Sequence, residues 1–143
     1  MAHEIYTKQP LGKLLSNTGR TLLNTLKFKL KHLDIKRNFY ALILIGEGKG
    51  MLTQQDLSDL LKSDKVSIVR IIDYLSERGY VQRVKDLYDR RKYKLTLTKK
   101  ADKELPLIKK EIEKIIKKAL KGIPANKIEE LYETLNVINS NLN

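Results

Sequence analysis

A mainly α-helical fold with one small β-hairpin is predicted for this 143-residue chain by three observations. Apolar residues recur at intervals of three and four in six stretches, the period of helices that bury one face. One short stretch, Tyr93 to Thr98, instead alternates apolar and polar residues, the period of a strand. Prolines, glycines and capping residues fall at the borders between the stretches, where helices start and stop.

Pro10 suits the first turn of a helix, and Leu11, Leu15, Leu22, Leu26 and Leu30 continue it as a stripe that Leu14 and Leu23 widen, to about residue 32. Phe39, Leu42, Ile43 and Ile45 mark a second, shorter helix, expected to stop at the three glycines of residues 46–50. Thr53, followed by Asp56, has the spacing of a capping box for a third helix with Leu57, Leu60 and Leu61 on its apolar side. Asp64 is a good N-cap for a fourth, carrying Val66, Ile68, Val69, Ile71, Ile72 and Leu75, and Gly79 ends it in a left-handed cap. Of these, Ile68, Val69 and Ile72 are expected in the core.

The two runs that follow, Tyr80 to Leu87 and Tyr93 to Leu97, read as a hairpin with Tyr93, Leu95 and Leu97 on one face and a very basic tip, residues 85–92. A long helix then turns Leu105, Ile108, Ile112, Ile115, Ala119 and Leu120 inward; Pro106 is expected to bend it or break its ladder, and Gly122 to end it. Pro124 opens the last helix, whose Ile128, Leu131, Leu135, Ile138 and Leu142 are spaced 3, 4, 3 and 4 apart, a seam suited to another helix.

Helix, helix, short linker, helix and basic hairpin is the order of a winged helix-turn-helix. The chain is thus expected to be a single domain, with a DNA-binding lobe over about residues 36–100 and dimerisation helices over about 5–35 and 101–143. The flanking helices carry more apolar seam than one small module needs, and a stripe that cannot be buried at home is buried against a partner. Leu11, Leu15, Leu22, Leu131, Leu135, Ile138 and Leu142 are the expected homodimer contacts.

Charge narrows the partner. Lys and Arg number 29 against 17 Asp and Glu, a net charge of +12, which draws the chain to polyanions. Residues 65–100 hold eleven basic against four acidic side chains and residues 1–37 eight against two, whereas residues 101–143 are nearly balanced. Without cysteine there is no disulfide, cysteine nucleophile or thiol sensor. Only His3 and His32 are histidines, far apart in sequence, so no metal or other cofactor is expected; His32 suits a helix C-terminus. Residues 46–50 lack the ending of a phosphate loop and no nucleophile elbow is present, so the chain is read as no enzyme. Neither a membrane-length apolar run nor a signal-peptide core occurs, and the cytoplasm is the expected location.

In a helix-turn-helix the N-terminal residues of the second helix reach base edges in the major groove. Here these are Lys65, Val66, Ser67 and Arg70, read as the exposed positions: two guanine donors, a thymine-methyl contact and a versatile hydroxyl. Arg90, Arg91 and Lys92 at the hairpin tip suit the negative potential of a narrow minor groove. Lys85, Lys94 and Arg83 are candidates for phosphate, and Arg83 equally for an ion pair with Asp73. Thr53, Gln54 and Gln55 stand at a helix N-terminus, which suits phosphate as well as plain capping. Phe39, Tyr40 and Tyr93 suit either the core or the wall of a ligand pocket.

The segment DLSDLLKSDKVSIVRIIDYLSERGYVQRVKDLYDRRKYKLTLTKKA resembles the multiple-antibiotic-resistance regulator (MarR) family. The likeness lies in Asp64-Lys65 with Val69 and Arg70, Asp73 with Leu75, Gly79-Tyr80-Val81, Arg83, Asp89-Arg90-Arg91 and Leu97-Thr98; Ala101 stands where the family often has Gly. It implies a homodimeric transcription regulator, in the first place a repressor, on a palindromic operator in double-stranded DNA. It also implies that Asp89 orients a neighbouring arginine, Arg91 in particular, and that a small aromatic effector releases the DNA. The oxidant-sensing variant of the family needs a cysteine, which composition excludes. Two other readings compete: a non-specific basic DNA-organising protein, and a membrane-surface protein using the Lys-rich helix 99–121. The apolar face of that helix has no Trp, Phe or Tyr, which weakens the last.

Overall fold

The computed structural model describes residues 8–143; the expectations for His3 and for the start of the first flanking segment near residue 5 lie outside the described residues. Six helices and one hairpin lie wholly within that span. Helix α1 is Leu11–Lys29 and leads through a 3-10 turn, Lys31–Leu33, to α2 (Phe39–Glu47), α3 (Gln54–Leu61) and α4 (Lys65–Glu77). Strands β1 (Val81–Lys85) and β2 (Tyr93–Leu97) follow, then α5 (Lys99–Ala119) and α6 (Ala125–Leu142). The mainly helical winged helix-turn-helix with long flanking helices is the architecture the sequence predicts.

One core holds the lobe together. Leu26 of α1 and Leu30 just after it, Phe39, Leu42 and Ile45 of α2, Leu57 of α3, and Ile68, Ile72 and Leu75 of α4 are buried in it with Tyr80, Val81, Leu95, Ala101 and Ile108. Both α1 and α2 pack against α5. Buried Tyr80 satisfies its hydroxyl by donating to the Leu33 carbonyl at 2.9 Å, which ties the wing to the chain entering α2.

The glycine cluster ends α2 as expected: the helix stops within it, at Glu47, with Gly48 as its C-cap. Gly46 lies inside the helix and is closely packed there: a Cβ would meet Leu105 Cδ2 at 2.8 Å and Leu97 Cδ1 at 3.1 Å. The chain turns later, at Gly50, whose φ of +80° suits glycine. Helix α5 continues past Pro106, whose missing N–H breaks the ladder locally as expected. Pro106 and Asp102 are both exposed, on the side of the helix away from the core.

Three apolar assignments are corrected. Leu60 and Ala119, expected inward, are exposed, and Val69, expected in the core, is more than a third exposed. All three sit at the margins of their apolar stripes, where the stripe is wider than the contact it makes. Leu22, expected on the dimer seam, packs half-buried against the core of its own chain. The rest of the seam is open. Leu11 and Leu15 are exposed, Leu135 and Ile138 are half-buried, Leu131 and Leu142 are exposed, and α6 contains no buried residue at all.

Candidate nucleic-acid interface

Capping fixes the two helices of the motif. Thr53 Oγ1 accepts the Asp56 N–H at 3.1 Å and Asp56 Oδ2 accepts the Thr53 N–H at 2.9 Å, the reciprocal capping box the spacing predicts. Those bonds to Thr53, its backbone N–H first, hold the Asp56 carboxyl below the usual carboxylate range. The turn to α4 runs through Lys62 in the left-handed region, with the Ser58 hydroxyl donating to the Ser63 carbonyl.

Asp64 then caps α4, Oδ1 accepting the Ser67 N–H at 2.8 Å and Oδ2 the Ser67 hydroxyl at 2.7 Å. The Ser67 N–H, then its hydroxyl, lower the Asp64 pKa. Ser67 is therefore not the freely exposed side chain the sequence suggests: it is half-buried and its one hydroxyl proton is held by the cap. Lys65, Val66 and Arg70 are exposed, and the structure adds Val69 to their face, while Ile68 and Ile72 anchor the other side in the core.

Arg83 is resolved in favour of the internal pair. Its Nη2 lies 2.6 Å from Asp73 Oδ1 and its Nε donates to Gln54 Oε1 at 2.7 Å. One guanidinium thus joins β1, α4 and the first turn of α3, setting the wing against the helix pair. A second tie was invisible in the sequence. Arg78 Nε bonds Asp34 Oδ2 at 2.9 Å, its guanidinium lies 3.4 Å from the Tyr74 ring centre, and the Tyr74 hydroxyl donates to Asp34 Oδ1 at 3.0 Å. Arg78 first and Tyr74 second hold the Asp34 carboxyl below its ordinary value. The chain before α2 is thereby fastened to the last turn of α4 across forty residues of sequence, a distance over which no local pattern gives a signal.

The wing is an antiparallel pair in the register Val81↔Leu97, Arg83↔Leu95 and Lys85↔Tyr93. Leu95 is buried as the alternation requires; Tyr93, one step nearer the tip, has left the core and is exposed. The β2 backbone also bonds the segment before α3, with the Leu95 N–H donating to the Leu52 carbonyl at 2.7 Å. At the tip Asp86 Oδ1 accepts the Tyr88 N–H at 2.8 Å and Asp89 Oδ1 the Arg91 N–H at 3.0 Å. Asp89 Oδ1 also lies 3.5 Å from Arg91 Nε, the neighbour relation that the resemblance implies. Arg90, Arg91 and Lys92 are exposed.

Wing and helix pair face a common cleft of about 430 Å³, lined by Thr53, Gln54, Gln55 and Asp56 on one side and Arg91, Lys92 and Tyr93 on the other. The cleft brings the α3 N-terminus beside the basic tip of the wing. Of the three aromatic candidates, Phe39 is wholly buried and belongs to the core, with the Tyr40 ring set edge-on to it at 4.9 Å between centres. Tyr40 remains partly exposed. Among the described residues, no helix is long and apolar enough to cross a membrane.

Comparison with known proteins agrees with this geometry. The family model described as MarR family matches residues 36–92, from the approach to α2 through the wing tip. The chain is 29% identical over 125 residues to YybA of Bacillus subtilis (strain 168), described as an uncharacterized HTH-type transcriptional regulator, covering 87% of this chain and 83% of that one. It is 30% identical to a MarR transcriptional regulator from Methanosarcina mazei Go1, with a TM-score of 0.81 over 92% of this chain and 94% of that one. A MarR family regulator from Listeria monocytogenes, solved in complex with a 26mer DNA, is 26% identical with a TM-score of 0.83, over 91% and 87% of the two chains. On the strength of the matched lobe and the full-length likeness, the chain belongs to the MarR family of transcription regulators.

Proposed function

We propose that this regulator binds a specific operator in double-stranded DNA as a homodimer and represses transcription from it. The observation that carries the reading is the pairing of a capped, exposed basic helix start with a basic wing on one lobe, joined to a C-terminal helix whose apolar seam its own chain leaves exposed or at most half-buried. Lys65, Val66, Val69 and Arg70 are assigned to base edges, with Ser67 contributing through its oxygen while its proton serves the cap. Arg90, Arg91 and Lys92 are assigned to the minor groove, Asp89 holding Arg91. The relative from Listeria monocytogenes that was solved with a 26mer DNA supports DNA as the partner. Leu11, Leu15, Leu131, Leu135, Ile138 and Leu142 are assigned to the dimer seam. Effector control is assigned to Tyr40, which stays partly exposed beside the core of the lobe with its ring edge-on to Phe39.

The test is a DNA titration across salt concentrations, with a footprint of the selected site. If about eight phosphates are neutralised per dimer, log K is expected to fall with log salt at a slope near −7. The footprint is expected to be an inverted repeat with half-sites roughly 34 Å apart, since two recognition helices related by a two-fold axis must each meet a major groove. A slope shallower than about −2 sinks the backbone contacts, and a single asymmetric half-site sinks the symmetric dimer. A preference for the selected site well below about a thousandfold over random DNA would favour the non-specific packaging role.

A further inference from the structure

The most exposed large apolar side chains in the described structure stand together at the wing tip: Leu87 at 93% and Tyr88 at 96%. A lone exposed leucine means little. These two differ because the turn that displays them is built. The Asp86 carboxylate accepts the Tyr88 N–H and lies 3.8 Å from the Lys94 ammonium; the Asp86 N–H donates to the Lys92 carbonyl and the Lys92 N–H to the Asp89 carbonyl, both at 3.0 Å. The Asp89 carboxylate in turn accepts the Arg91 N–H. Both acids of the tip are thus held in local bonds, and the cations Lys85, Arg90, Arg91 and Lys92 flank the apolar pair. The charge around the pair calls for a polyanion, and the pair itself for apolar surface on that same partner.

A DNA minor groove offers both, because its phosphate rims are anionic and its walls are deoxyribose. We propose that Leu87 and Tyr88 form an apolar wedge that packs on the sugar walls of the minor groove at each end of the operator, contributing affinity that does not depend on charge. Apolar side chains placed in minor grooves by other DNA-binding proteins act in this way and open base steps when they go deep enough. The proposal rests on the reading of the wing as a DNA contact and adds residues that no charge argument would select.

The experiment compares wild type, the double variant Leu87→Ser/Tyr88→Ser, Tyr88→Phe and Arg91→Ala. Operator affinity is measured over a range of salt for each, together with sedimentation and melting. Both tip residues are exposed, so all variants should fold and remain in the wild-type assembly. The double variant is expected to bind at least about tenfold more weakly with an unchanged salt slope. Tyr88→Phe, which keeps the ring, should bind as wild type does. Arg91→Ala should lower the slope by about 1. Affinity of the double variant within about twofold of wild type overturns the wedge, as does a loss accompanied by a shallower slope, which would mean that the neighbouring cations had merely been displaced. A changed sedimentation coefficient for the double variant, or loss of binding to phosphatidylserine vesicles with operator affinity intact, would assign the tip to a protein or a membrane and also overturn it. Failure of wild type itself to bind DNA removes the underlying reading, and the wild-type arm reports that separately.

Discussion

Leu135→Asp is expected to leave the protein monomeric or insoluble and without operator binding, while Leu87→Ser/Tyr88→Ser remains in the wild-type assembly. Leu135 lies at the middle of the α6 seam, half-buried in a helix of 18 residues that contains no buried residue. On a single chain that helix has a polar side facing water and an apolar side that is at most half-covered. In the proposed dimer the seam is closed by the partner, and an aspartate at Leu135 then loses hydration without gaining a counter-charge. That costs several kcal/mol per buried ion, and a two-fold interface suffers it twice. DNA binding fails with it, because a lone lobe gives up the second half-site and the avidity of a linked pair. Sedimentation equilibrium and operator titration of the variant decide the matter. A variant that stays dimeric with normal DNA binding would mean that the seam is closed within one chain and that the two-fold partner lies elsewhere.

The lobe was legible in the sequence to the extent that its signals are local. Thr53 with Asp56 and Asp64 with Ser67 are capping spacings of three residues, and both bonds are formed. The alternation of Leu95 and Leu97 set the core face of β2, and Gly79 with a φ of +77° ends α4 as glycines do. What the sequence concealed is non-local. The close packing of Gly46, where a Cβ would meet the Leu105 side chain at 2.8 Å, comes from a residue nearly sixty positions away and leaves no local signal. Arg83 had two partners in reach by charge alone, and only the fold chooses Asp73 and Gln54. The Asp34 tie to Tyr74 and Arg78 spans forty residues or more and leaves no periodic trace. Leu87 and Tyr88 were passed over for the opposite reason: beside four cations an apolar pair reads as filler, and only its full exposure on a braced turn singles it out.

Phe39→Ala is expected to lower the melting temperature by about 10–15 °C without altering the sedimentation coefficient of the folded protein. Phe39 is wholly buried at the first turn of α2, in the core shared by α1, α2, α4 and the wing, and its ring receives Tyr40 edge-on. Truncation removes the transfer energy of the ring and leaves a cavity that surrounding helices only partly close, about 3–5 kcal/mol together. For a domain of this size each kcal/mol corresponds to roughly 3 °C. Protomer concentration must be held fixed, since the melting of an oligomer moves with it. The seam residues of α6 lie outside the core cluster that holds Phe39, so the folded variant should sediment as wild type and bind the operator at low temperature with near-normal affinity. Phe39→Leu, which keeps most of the volume, should lose under about 1.5 kcal/mol. A Phe39→Ala protein that melts within about 3 °C of wild type would show that the α2 core is not what holds the lobe, because no buried phenylalanine in a close-packed interior is that cheap to remove.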